Sequence, residues 1–287
     1  MLDKKTFDKL RQLIYRESGI ALGDNKDSLV GARVAKRMRE LGLATHAEYY
    51  DYIIRDRDGQ ELIHLLDLIS TNVTHFFREP RHFDMLAALV QEWEGQGQRR
   101  FRIWCAASST GEEPYSLAIT MREALTDSRD VKILASDIST RVLRKAAEGV
   151  YEARHVENIP RAVLLRYFQK GRGESDGHYQ VKQSIREMVL FRRINLAAPG
   201  LPVRGPLDVI FCRNVMIYFD NTLRRQLLAN LYELLRPGGY LVVGHAESLS
   251  GMLSEFKSVE PAVYVKPPGV KEPRSHHHAT ALLNRNK

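Results

Sequence analysis

Five stretches of this sequence place polar side chains where a small ligand can be held. Ala106-Ala107-Ser108-Ser109-Thr110-Gly111-Glu112-Glu113-Pro114-Tyr115-Ser116 is a loop of small residues running into two carboxylates. Asp137 stands 26 residues beyond Gly111. Asn195-Leu196 and Arg213-Asn214 each follow an apolar run, and Tyr218 comes shortly after the second. Upstream, Ser70-Thr71-Asn72-Val73-Thr74-His75-Phe76-Phe77-Arg78 sets Thr, Asn and Arg around an aromatic pair. This last segment reads equally as a capped inter-helix turn with Phe76 and Phe77 in the core.

The chemistry is narrowed by what these loops lack. No Gly-x-Gly-x-x-Gly spacing marks a nicotinamide dinucleotide site, and no Gly-Lys-Ser/Thr marks a phosphate cradle. Glu112 and Glu113 at a helix start repel a phosphate placed there and tolerate a cation. The same pair also stabilises a helix dipole without any ligand. An aspartate at the position of Asp137 can accept two hydrogen bonds from ribose hydroxyls, or it can cap a helix. A nucleoside acceptor, no pyrophosphate site and a tolerated positive charge together suggest S-adenosylmethionine by elimination.

These residues need a scaffold, and the hydrophobic pattern predicts one. Residues up to about 93 read as helices: Phe7, Leu10 and Ile14; Leu29 to Leu41; a capping box at Thr45 and Glu48; Leu62 to Ile69; and Phe83 to Trp93 after Glu79-Pro80. From Phe101 the character changes to short apolar runs, Phe101–Ala106, Val131–Ser136, Leu207–Cys212 and Tyr240–Gly244, alternating with helices. That alternation predicts an α/β fold with a parallel sheet covered on both faces. In such sheets ligands bind beyond the carboxyl ends of the strands, where these loops fall. Residues 170–194, with Gly171, Gly173 and Gly177, break the alternation and predict antiparallel hairpins around Tyr179–Val181 and Val189–Ile194. Val263–Val265 adds a late strand.

Composition excludes several classes. Two cysteines in 287 residues support neither a disulfide framework nor a four-cysteine zinc site. No apolar run is long enough to span a membrane. No signal core opens the chain, so a soluble cytoplasmic protein is expected. Cys105 and Cys212 are expected to be buried hydrophobes. His276-His277-His278 reads as a solvated tract, and no metal site is expected. The net charge of +8 divides unevenly: residues 1–98 carry 14 basic and 16 acidic side chains, the rest 29 and 19. Nucleic acid, an acidic protein partner and plain solubility all account for such an excess.

The motifs in their order resemble the bacterial chemotaxis receptor glutamate O-methyltransferases. The resemblance rests on Thr71 to Arg78, Ala107 to Ser116, Ala135-Ser136-Asp137-Ile138, Asn195-Leu196, and Phe211-Cys212-Arg213-Asn214-Val215-Met216-Ile217-Tyr218-Phe219. It covers about residues 5 to 265. It implies a Rossmann-like S-adenosylmethionine-dependent methyltransferase sheet with an N-terminal all-helical domain and an inserted small antiparallel β-subdomain. Expected boundaries are 1–88 for the helical domain, 89–267 for the methyltransferase domain, about 160–190 for the insert, and 268–287 for a flexible tail.

The implied reaction is methylation of receptor glutamates to γ-methyl esters in chemotactic adaptation. By position Asn72, Thr74, Arg78, Ala106, Glu112, Asp137, Asn195, Leu196, Arg213 and Asn214 would line the cofactor pocket. Arg78 and Tyr218 are the candidates for steering the substrate carboxylate. Arg33, Lys36, Arg37 and Arg39 would offer a basic helix face to the acidic methylation helices of a receptor. The Gly171-x-Gly173 spacing resembles relatives whose insert docks a receptor carboxyl-terminal peptide, although Gln180 stands where they carry an arginine. A monomer acting on receptors, without nucleic acid or membrane insertion, is expected. Two alternatives remain open: an S-adenosylmethionine-dependent nucleic-acid methyltransferase, and a non-catalytic cofactor-binding signalling module.

Overall fold

A computed structural model describes residues 2–70, 72–126, 129–247, 249, 251–252 and 255–268. Thr71, the His276–His278 tract and the rest of the tail from residue 269 lie outside the described residues.

Four helices form the amino-terminal unit: α1 (Lys4–Ser18), α2 (Asp27–Glu40), α3 (His46–Arg55) and α4 (Gln60–Ile69). Asp3 caps α1 by accepting from Thr6 N, and Thr45 with Glu48 forms the expected capping box on α3. The helical spacing of Leu10, Ile14, Val30, Val34, Tyr49, Ile53, Leu65 and Leu66 turns one stripe of each helix into a shared core.

The next helix, α5 (Arg81–Gly95), does not join them. Its Phe83, Leu86, Val90 and Trp93 pack into the core beneath the sheet that follows. A domain boundary at residue 88 would therefore cut a continuous helix; the packing changes partner in the segment before α5.

The main sheet is built from β1 (Arg100–Cys105), β2 (Asp130–Asp137), β6 (Val189–Arg193), β7 (Leu207–Phe211), β8 (Leu235–Val242), β9 (Lys257–Glu260) and β10 (Val263–Val265). Helices α6 (Glu112–Ala124), α7 (Thr140–Glu148) and α11 (Asn221–Leu234) connect the strands. Strand order is β6-β2-β1-β7-β8-β10-β9, with β10 antiparallel to both its neighbours. Alternate residues supply two separate cores. Phe101, Ile103, Cys105, Val209 and Phe211 face one side, while Trp104, Ala106, Ile210 and Cys212 face the other. Burial on both faces is why these strands read as continuous apolar runs. After β2 and β6 the chain returns to the other side of β1 as β7, so the carboxyl ends of β1 and β7 flank the topological switch point.

Between α7 and β6 lie β3 (Val150–Glu152), α8 (Ala153–Val156), α9 (Arg161–Tyr167), β4 (Phe168–Lys170), β5 (His178–Val181) and α10 (Gln183–Arg186). Strands β3, β5 and β4 make a small antiparallel sheet. Two details differ from the sequence reading. The small sheet starts at Val150, earlier than expected, because a three-residue strand leaves no periodicity to detect. Val189–Arg193 is no hairpin strand of the insert: it pairs in parallel with β2, from Ile133↔Val189 to Asp137↔Arg193. An edge strand with one exposed face alternates just as a hairpin strand does. Among the described residues no helix is long and apolar enough to cross a membrane.

Candidate functional site

The carboxyl ends of β1, β2 and β7 open into a cavity of about 300 Å³. Its far walls come from the amino-terminal unit (Ser18 to Arg33) and from the segment Ile69 to Arg78 that follows α4. Of the residues singled out from the sequence, Asn72, Thr74, Arg78, Ala106, Asp137, Asn195, Leu196, Arg213, Asn214, Tyr218 and Arg33 line it. Glu112, Lys36, Arg37, Arg39, Gly171 and Gly173 do not.

The loop after β1 is held by backbone needs. Gly111 has φ +101°, and a Cβ there would sit 2.6 Å from the Tyr151 hydroxyl, which itself donates to Thr110 O. Ser109 also has positive φ (47°), a conformation that costs a non-glycine residue about 1–2 kcal/mol. It is fixed on both sides: its N–H donates to Asp137 Oδ2 at 2.9 Å and its hydroxyl to Asn72 O at 3.0 Å. Asp137 accepts a second backbone bond from Ser139 N at 3.0 Å. Ser139, not Asp137, caps α7. Each carboxylate oxygen of Asp137 retains acceptor capacity. Burial pushes its carboxyl above the usual aspartate value, against the opposing pull of the Ser139 and Ser109 N–H groups.

Asn72 is the complementary feature. Its Nδ2 is buried and has no hydrogen-bond partner. Leaving a buried donor unpaired costs about 1–3 kcal/mol. Asn72 lines the same cavity as Asp137, so a polar ligand there would lie against both residues. The cavity therefore suits a nucleoside-bearing group, and no cation facing it from the loop after β1 invites a phosphate.

Arg213 organises the floor. Its guanidinium is wholly buried between Glu113 (2.6 Å) and Glu79 (2.9 Å), and it donates to Arg78 O at 2.7 Å. Burial pushes the Glu113 carboxyl up, with the Arg213 charge opposing. Burial acts the same way on Glu79, but the hydrogen bond and charge of Arg213 outweigh it and hold that carboxyl below its ordinary value. Cys105 donates to Glu113 Oε1, and burial first, then Glu113, pushes its thiol well up, so it is no nucleophile. Of the two adjacent glutamates, Glu113 faces the cavity and Glu112 accepts from the Thr110 hydroxyl at 2.6 Å. Successive helical residues diverge by about 100°, so only one of the pair can point inward.

Asn214 sits at φ +57° in the turn after β7. Glu247, a residue the sequence reading passed over, holds that turn. One of its oxygens accepts from Asn214 N (2.6 Å) and Gly244 N (2.8 Å), the other from Met216 N (2.7 Å). Arg78 is half-buried and donates to Val73 O at 3.1 Å. The Tyr218 carbonyl accepts from Ala21 N at 2.8 Å, tying the wall from the amino-terminal unit to this loop.

The basic helix face divides. Arg33 donates to the carbonyls of Leu68 and Ile69 and borders the cavity. Arg37 is not a partner-facing residue: its guanidinium clasps the buried Glu61 (2.6 Å), which also accepts from the Tyr49 hydroxyl (2.9 Å). Lys36 and Arg39 remain exposed, Lys36 with Glu40 at 3.9 Å. Gly171 and Gly173 belong to the connection after β4. A Cβ on Gly171 would fall 2.0 Å from Ser175 O, so a structural need explains that glycine.

Residues 72–265 match the family described as CheR methyltransferase, SAM binding domain, and residues 5–70 match CheR methyltransferase, all-alpha domain. The chain is 42% identical over 262 residues to chemotaxis protein methyltransferase 2 of Pseudomonas aeruginosa, covering 91% of this chain and 92% of that one. It is 40% identical over 259 residues to the chemotaxis protein methyltransferase of Escherichia coli, covering 90% of this chain and 89% of the relative. The Borreliella burgdorferi protein of the same name is 35% identical over 273 residues, covering 92% and 95%.

Proposed function

The chain belongs to the CheR methyltransferase family, and from that premise we propose that it transfers the methyl group of S-adenosylmethionine to glutamate side chains of chemoreceptors, giving γ-methyl esters. The observation that carries the reading is the cavity at the switch point, lined by Asp137, whose carboxylate keeps acceptor capacity, and by Asn72, Asn195 and Asn214. Asp137 would take the ribose hydroxyls, with Asn72, Asn195 and Asn214 holding further polar edges, and Ala106 and Leu196 giving apolar contact. When bound, S-adenosylmethionine supplies a methyl group activated by its sulfonium charge.

The chain's own task is then positioning. A glutamate carboxylate is ionised at neutral pH, with an ordinary pKa of about 4.3, so no general base is needed. Arg78, at the cavity edge, orients that carboxylate by a charged hydrogen bond; the Tyr218 hydroxyl provides a second donor. In-line approach is worth several kcal/mol when the reacting groups are held, on the order of the 7–11 kcal/mol reached in well-oriented systems. Helices α1, α2 and α4 contribute to the cavity wall, and α2 offers Lys36 and Arg39 toward acidic receptor helices. The β3-β5-β4 sheet, a cytoplasmic location and a monomeric state belong to the same reading, with a receptor tail peptide as the ligand of that sheet.

Transfer of labelled methyl from S-adenosylmethionine to purified receptor, in a base-labile form, is the expected result. Label that is stable to base, or that appears on nucleic acid, would overturn the reading.

A further inference from the structure

Behind the cavity floor, Glu79, His82 and His245 bring three ligand atoms within 4.8 Å of one another. We propose that these three residues form a binding site for a divalent transition metal of the zinc class.

The geometry is close to that of a bound ion. Glu79 Oε2 lies 3.4 Å from His82 Nδ1 and 3.9 Å from His245 Nε2. A tetrahedral zinc with bonds of about 2.0–2.1 Å sets its ligand atoms about 3.3–3.4 Å apart. The Glu79–His82 pair already has that spacing, while the three atoms together spread over as much as 4.8 Å, so His245 has to swing inward by about an ångström or more to complete a tetrahedral set. His245 is the residue free to do so, since its side chain is 54% exposed. The two imidazoles meet edge to face with centroids 5.0 Å apart.

An independent observation points the same way. His82 is 2% exposed, yet neither Nδ1 nor Nε2 has a hydrogen-bond partner. Buried ring nitrogens of this kind are normally satisfied by protein, water or metal. A metal on Nδ1 would satisfy the atom that faces Glu79.

Charge balance permits a cation in spite of Arg213. That guanidinium stands between Glu113 at 2.6 Å and Glu79 at 2.9 Å. One positive charge thus serves two carboxylates and leaves the trio net negative; Glu79 Oε2, the oxygen nearest the histidines, is shared with Arg213. Two imidazoles and one carboxylate are a donor set that zinc accepts with a fourth position left for water. Exposed His245 marks the entry path.

The test uses the full chain, freed of metal with chelator, in a background where His276, His277 and His278 are each changed to Ala, because that tract alone can hold zinc. Calorimetry with Zn²⁺ and visible absorption with Co²⁺ should report one equivalent bound. His245→Ala and, separately, Glu79→Gln should weaken binding by about tenfold or more, while circular dichroism and thermal melting show that His245→Ala remains folded. Zinc binding of unchanged strength in the folded His245→Ala variant would overturn the proposal. So would a parent chain that gives neither heat with Zn²⁺ nor a Co²⁺ spectrum.

Discussion

Arg213 Nη2 donates to the carbonyl oxygen of Arg78 at 2.7 Å, across 135 residues of sequence. The bond ties the end of β7 to the segment that joins the helical unit to α5, and it fixes the backbone from which the Arg78 side chain reaches the cavity. The guanidinium can do this because Glu113 and Glu79 neutralise it where no water reaches. One fork thereby sets the relative position of three cavity walls.

Replacing that fork should separate stability from positioning. Arg213→Met leaves the buried Glu113 and the half-buried Glu79 without their counter-charge and should cost about 3 kcal/mol in urea unfolding. Arg213→Lys keeps the charge but cannot serve both carboxylates and the Arg78 carbonyl in one plane. It should lose less stability, yet still lower kcat for methyl transfer. A lysine variant with parental kcat would show that the Arg78 backbone needs no such tether.

Asp137 gives a pH dependence with a definite sign. Burial raises its folded-state pKa, so folding favours the protonated form. Its contribution to stability is complete below the unfolded value of about 3.9 and is lost as pH rises through the folded value. Cofactor binding uses the ionised form and runs oppositely: affinity should fall on acidification, starting at a higher pH than an ordinary aspartate would dictate. Asp137→Asn should bind S-adenosylmethionine about tenfold or more weakly at pH 7, as expected for losing a charged hydrogen bond, and should lack the acid limb. Calorimetric titrations between pH 4 and about pH 8 check both; an acid limb persisting in the variant would assign it to another group.

The sequence shows part of this site clearly and hides the rest for physical reasons. Asp137, Asn195 and Asn214 were legible as candidates for the cavity they line because they fall just past apolar strands, where such sheets bind ligands. Asn72 and Arg78 were legible only through the order of motifs, since nothing local says that their segment folds over the sheet. Glu247 was invisible: it acts on three backbone N–H groups, and backbone donors leave no trace in residue identity. The Arg37–Glu61 pair was misread for a related reason. A helix surface pattern cannot tell a solvated arginine from one that reaches a buried glutamate 24 residues away. In the fold, apolar runs located β1, β2 and β7, whereas the parallel pairing of β6 depended on a partner strand, β2, more than 50 residues earlier.

Glu247 offers a direct check of what such a hidden residue does. Glu247→Gln keeps the shape but has one acceptor oxygen where two served, and its amide would face a backbone N–H. The turn holding Asn214 at positive φ should loosen, at a cost of about 1–3 kcal/mol. S-adenosylmethionine should bind more weakly while Asp137 retains its acid limb. An unchanged dissociation constant, with a lowered melting temperature, would limit Glu247 to a structural part.

The division of the α2 face sorts its four basic residues into two kinds of experiment. Arg37→Ala strands the carboxylate of Glu61, which is 3% exposed, and should destabilise the helical unit by about 3 kcal/mol. Its effect on receptor methylation should follow from unfolding alone and disappear under conditions that keep the variant folded. Lys36→Glu with Arg39→Glu should do the reverse. Both side chains are exposed, so the fold should be unmoved within about 0.5 kcal/mol. Receptor methylation should slow through a higher KM for receptor, most at low salt, because the steering field of exposed charges is screened within a Debye length of about 10 Å at 0.1 M. Cofactor affinity should be unchanged, since neither residue borders the cavity. Parental kinetics in the double variant at low salt would move the receptor-binding face elsewhere on the molecule.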